Sequence, residues 1–105
     1  MPDGLTVDAE GMLWVAFWGG GAVRRYDPAG RALEEVRTDA PQTTSCCLGG
    51  ADGRTLFITS AANGLSAEQL QADSRSGRLF ATEVEVPGPP ARPFLGALPE
   101  REEEQ

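Results

Sequence analysis

The sequence predicts an all-β fold made of two four-stranded antiparallel units of the propeller-blade kind, on three observations. Short runs of strand-forming residues alternate with regular turn signals. Glycine (13) and proline (8) make up a fifth of the 105 residues, which favours many tight turns over long helices. The order of runs and turns also restarts once within the chain, at a spacing of about 40–45 residues of the kind that marks propeller blades.

The elements follow in order. Leu5-Thr6-Val7 leads into the turn Asp8-Ala9-Glu10-Gly11. Met12 to Phe17 is the second run, stopped by Gly19-Gly20-Gly21. Ala22 to Tyr26 is the third, stopped by Asp27-Pro28-Ala29-Gly30, and Ala32 to Arg37 is the fourth. Four short strands joined by tight turns read most economically as an antiparallel meander. The pattern then repeats with Thr44 to Leu48, the turn Gly50-Ala51-Asp52-Gly53, and Thr55 to Ser60. Ser66 to Asp73 breaks the strand pattern. It reads as a two-turn helix, with Ser66 and Gln69 forming a capping box, set into the connection before the next strand. Arg78 to Val86 alternates with period two, Leu79, Ala81 and Glu83 on one face and Phe80, Thr82 and Val84 on the other. After Pro87-Gly88-Pro89-Pro90, Phe94-Leu95 is the candidate fourth strand of the second unit.

Overlaying the halves pairs Gly11 with Gly53, 42 residues on, and Leu13, Trp14 and Val15 with Leu56, Phe57 and Ile58, 43 residues on. The boundaries are a first unit at 1–39, a second at 40–96 and an acidic tail at 97–105, read as disordered. A blade buries its faces against its neighbours, so two blades alone leave two faces to be covered by missing blades or by self-association.

Formal net charge is −7, which argues against nucleic acid and against an anionic membrane surface as partners. The most apolar stretch, Met12 to Val23, is 12 residues long and broken by glycines, where a membrane helix needs roughly 20. With no signal-peptide pattern at the N-terminus, a cytoplasmic location is expected. Cys46 and Cys47 are adjacent and point to opposite faces of a strand, so they are expected to be reduced thiols, with a vicinal redox pair as the alternative. Histidine is absent, which excludes Ser-His-Asp and Cys-His catalysis within the chain. Asp8, Glu10 and Gly11 do not fit the spacing of a calcium-binding EF-hand loop and read as turn residues. Gly19-Gly20-Gly21 lacks the lysine and helix start of a phosphate loop.

Pro2-Asp3-Gly4, the turn Asp8 to Gly11, Leu13-Trp14-Val15-Ala16, Gly20-Gly21 and Val23-x-Arg25-Tyr26-Asp27-Pro28 form an ordered string. It continues through Thr43-Thr44-Ser45-Cys46, Gly49-Gly50, Thr55 to Ala61, Gly64-Leu65-Ser66 and Gly77-Arg78-Leu79-Phe80. This string resembles the C-terminal portion of the SMP-30/gluconolactonase/regucalcin-like family. The resemblance implies two blades of a six-bladed β-propeller, too few to close the ring. It also implies a hydrolase that opens sugar lactones with one divalent cation, calcium or zinc, at the channel mouth.

Asp3 is the candidate catalytic and metal-binding residue. The resemblance makes it a metal ligand placed to act as general base, chemistry in which a cation polarises the lactone carbonyl and a carboxylate accepts a proton from water. Without the resemblance, Pro-Asp-Gly reads as an ordinary turn. The family's other ligands and substrate contacts have no counterpart in this sequence, and one carboxylate does not hold a catalytic cation. Ser45, 42 residues after Asp3, is a candidate channel-lining or substrate-contacting residue, or else an ordinary polar residue at a strand end. Trp18 either shields substrate at the mouth or packs between blades, and Trp14 is core. Two functional readings follow: a fragment of a metal-dependent lactonase, or a catalytically silent, truncated propeller piece acting as a structural or interaction unit.

Overall fold

Two turns of one design shape the first half of the chain. Asp8 N donates to Met12 O (3.0 Å) and Gly11 N to Asp8 O (2.9 Å); Asp27 N donates to Arg31 O (3.0 Å) and Gly30 N to Asp27 O (2.9 Å). In each turn the aspartate Oδ1 accepts two backbone N–H groups, from Glu10 and Met12 in one and from Ala29 and Arg31 in the other. Gly11 and Gly30 close the turns at φ of 81° and 93°, a region that side chains avoid. The chemistry that makes these sequences turns is therefore the short acidic side chain bonding forward to the backbone.

The computed structural model describes residues 1–63, 65–72 and 75–90. It is all-β apart from one short helix. The strands are β1 (Pro2–Val7), β2 (Leu13–Phe17), β3 (Ala22–Tyr26), β4 (Ala32–Arg37), β5 (Thr43–Gly49), β6 (Thr55–Ser60) and β7 (Phe80–Glu83), with the helix α1 (Ala67–Ala72) between β6 and β7. They form two antiparallel sheets, β1-β2-β3-β4 and β5-β6-β7. The second sheet thus has three strands among the described residues, where four were expected. The candidate fourth strand at Phe94-Leu95 and the acidic tail lie outside the described residues.

β1 starts earlier than expected. Pro2-Asp3-Gly4, read as a turn, belongs to the strand, because a bulge between Pro2 and Leu5 accommodates it. β7 is shorter than Arg78–Val86. The helix is capped as anticipated: Gln69 N donates to Ser66 Oγ (3.1 Å) and Ser66 N to Gln69 Oε1 (2.9 Å).

The two sheets stack through opposite faces. Trp14, Ala16 and Val23 on the first sheet and Cys46, Leu56 and Ile58 on the second are buried in one cluster, with Val36, Leu48, Phe80 and Val84 packed on it. Cys46 Sγ donates to the Trp14 carbonyl at 3.3 Å across this interface. β5 runs against β1 and β2, so the first strand of one sheet lies along the first two strands of the other. Thr43, fully buried, ties the two together by donating to Phe17 O (2.7 Å) and lying 3.1 Å from Ala22 O.

Register fixes how one sheet maps on the other. Pro2↔Phe17 and Leu5↔Val15 in the first correspond to Thr43↔Ser60 and Cys46↔Ile58 in the second, with a bulge in the same place. The bond from Trp18 N to Met1 O (2.8 Å) recurs as Ala61 N to Gln42 O (2.9 Å). First strands therefore correspond at a spacing of 41 residues and second strands at 43, the two extra residues lengthening the β5–β6 hairpin. Trp14 does pair with Phe57. The residue at the Asp3 position, however, is Thr44, and Ser45 corresponds to Gly4. The 42-residue spacing taken from the glycine turns fails on β5 because the insertion is divided around those turns.

Candidate functional site at the head of the first strands

The start of β1, the end of β2 and the start of β5 come together at one end of the sheets. Asp3 sits here in the β1 bulge, exposed. Bulges re-aim side chains and are common beside active sites. Trp18, half-buried, follows β2, with main-chain bonds to Met1 and an isolated bridge to Gln42. Asp3, Trp18 and Ser45 thus share one end of the fold.

Ser45 is half-buried and faces Gly4. A Cβ on Gly4 would fall 2.9 Å from the Ser45 Cα and closer still to its side chain. The two first strands approach so nearly that glycine is required at this position. Thr44, which the sequence did not single out, shares a 2.7 Å hydrogen bond between its Oγ1 and that of Thr59. The signal that finds it is the bulge register.

A second polar cluster also escaped the sequence. Asp8 and Arg25 are 2% and 7% exposed and paired at 2.8 Å. Arg25 also reaches Glu10 and Glu34, both at 3.1 Å, and lies 6.0 Å over the Trp14 ring. Arg25 is the fourth residue of β3 and Trp14 its cross-strand partner, so the guanidinium spans the top of the buried aromatic and grips the β1–β2 turn. Asp8 and Glu10 are turn residues, as read, and they also hold this cation.

Both cysteines are free. Burial pushes the Cys46 thiol up to about 11, with the adjacent Cys47 adding to the shift. Cys46 is therefore a neutral packing group and Cys47 is the exposed thiol. Among the described residues no three His, Cys, Asp or Glu side chains gather to hold a metal ion. Asp3 alone does not fit the coordination of a divalent cation, which takes several oxygen donors. No helix among the described residues is long and apolar enough to cross a membrane.

A model of the SMP-30/gluconolactonase/LRE-like region matches residues 1–62. The chain belongs to this family. Regucalcin from Gallus gallus is 42% identical over 98 residues, covering 91% of this chain and 33% of that protein. Regucalcin from Danio rerio is 44% identical over the same coverage. A calcium-binding regucalcin from Agrobacterium tumefaciens superimposes with a TM-score of 0.79 at 38% identity, over 84% of this chain and 30% of that one. A luciferin-regenerating enzyme gives a TM-score of 0.71 at 32% identity, over 83% and 29%. The chain spans about a third of the length of the curated relatives it matches. The SMP-30-like assignment thus rests on both sequence and fold.

Proposed function

We propose that the chain supplies one wall of a centre that hydrolyses sugar lactones, with Asp3 as its carboxylate. In this reading the two sheets are adjacent blades of a six-bladed propeller. Segments outside the chain, or further copies of it, cover the open face of the first sheet and bring the other donors. Asp3 accepts a proton from water attacking the lactone carbonyl. It also contributes one oxygen toward a divalent cation, calcium or zinc, whose remaining ligands lie outside this chain. The observation that carries the reading is an exposed carboxylate set in a bulge at the head of the first strand, in a chain of the gluconolactonase-like family.

The test is gluconolactone hydrolysis by the purified chain with calcium, zinc or manganese added. Metal-dependent hydrolysis that Asp3→Ala abolishes supports the proposal. Its rival is a catalytically silent unit with a structural or interaction role, in keeping with the lack, among the described residues, of three metal-ligating side chains brought together. No hydrolysis, together with no metal-dependent shift in melting temperature, overturns the version in which further copies of the chain complete the centre.

A further inference from the structure

The two bulges point to a residue beyond Asp3. Register sets Thr44 in the bulge of β5 as Asp3 is set in that of β1, on neighbouring strands of stacked sheets. Ser45 is taken up in the contact with Gly4, which leaves Thr44 as the polar side chain that the second bulge re-aims. Its hydroxyl is held in place. Thr44 Oγ1 lies 2.7 Å from Thr59 Oγ1, and Thr59 Oγ1 lies 3.4 Å from the Ser45 carbonyl. Either hydroxyl can donate in the 2.7 Å pair, and the 3.4 Å contact to the Ser45 carbonyl is too long to fix the direction. In either arrangement at least one lone pair of Thr44 Oγ1 is left as an acceptor, on a half-buried side chain positioned by Thr59.

We infer that the Thr44–Thr59 hydroxyl pair is a subsite that accepts a hydroxyl of a polyhydroxylated ligand bound beside Asp3. The inference rests on the proposed lactone-hydrolysing site, and it names what the ligand must carry: alcohol groups on the side facing β5. A fixed acceptor discriminates by what a ligand lacks, since an analogue without the hydroxyl leaves a partly buried group unpaired. Thr44 is thus a specificity residue, set one sheet away from the carboxylate.

The experiment titrates the full chain, labelled with ¹⁵N, with D-sorbitol and, in parallel, with succinate, which has no hydroxyl groups. Sorbitol is expected to move the amides of Thr44 and Ser45, and succinate to leave them in place. Thr44→Val is expected to weaken sorbitol binding about three- to tenfold, the worth of one neutral hydrogen bond, and Thr44→Ser to restore it. Unmoved amides, or equal binding by Thr44→Val, overturn the subsite. The lactonase reading fails separately. Sorbitol shifts at Thr44 in a chain that hydrolyses no lactone keep the subsite and remove the reaction. Hydrolysis with a KM that Thr44→Val leaves unchanged does the reverse.

Discussion

The backs of the two sheets carry the same apolar pattern at corresponding register positions and meet different fates. Leu5, Val7, Leu13 and Val15 on the first sheet correspond to Cys46, Leu48, Leu56 and Ile58 on the second. Leu5 is 56% exposed where Cys46 is 6%, Val7 is exposed where Leu48 is half-buried, and Leu13 and Val15 are half-buried where Leu56 and Ile58 are fully buried. Residue type does not explain the difference, since both rows are apolar. What differs is that the Trp14 face of the first sheet lies on the second row. The sequence therefore encodes a face for stacking twice, and within this chain one copy is covered.

The front of the first sheet offers the sharpest way to probe that asymmetry, because its Arg25 cluster sits over Trp14 at the edge of the covered interface. Asp8→Asn keeps the Oδ1 acceptor of the β1–β2 turn but sets an amide donor against the buried guanidinium, which is left with only its two more exposed partners. The expected loss is the largest, about 3–5 kcal/mol, read by urea unfolding of the chain. A loss below about 1 kcal/mol would mean that the Glu10 and Glu34 contacts alone hold Arg25.

The comparison itself is tested by truncating one residue from each row. Ile58→Ala is expected to cost about 2–5 kcal/mol and Leu5→Ala within about 0.5 kcal/mol. Equal losses would break the comparison and show that the Leu5 row is covered in solution. Sedimentation of the chain would then report more than one copy.

The smallest effect concerns Cys46, a member of the covered row. Its thiol titrates higher in the fold than in the unfolded chain, so its contribution is intact below the ordinary thiol range. That contribution declines as pH rises from about 9 toward about 11. Cys46→Ala should flatten the alkaline limb of stability against pH. Ellman titration of the native chain should find one fast thiol, Cys47.

Much of this was legible in the sequence where a local rule governs. β3, β4 and β6 fall where alternation and turn residues put them, and the helix cap follows from Ser66 and Gln69. The rule failed where tertiary contact decides. Pro2-Asp3-Gly4 carries turn residues, yet it is strand, since the bulge tolerates proline at a strand start and the approach of Ser45 demands glycine. The Asp8–Arg25 pair is 17 residues apart in sequence and is brought together only by the β2–β3 register. Asp3 is a candidate through family likeness alone, while Thr44 becomes one only through the register, because the inserted residues of the second hairpin shift the apparent repeat by one on β5.

The Asp8–Arg25–Glu34 cluster has a consequence for the order of folding. It links strands that follow one another directly, so the first sheet closes through short loops with little entropy lost at each step. The second sheet must bring β7 back across the segment that carries α1 before its third strand can pair. The first sheet is thus expected to form as an early cooperative unit and to serve as the template on which Cys46, Leu56 and Ile58 assemble. In pulse-labelling hydrogen exchange, the amides of β2 and β3 would gain protection before those of β6 and β7.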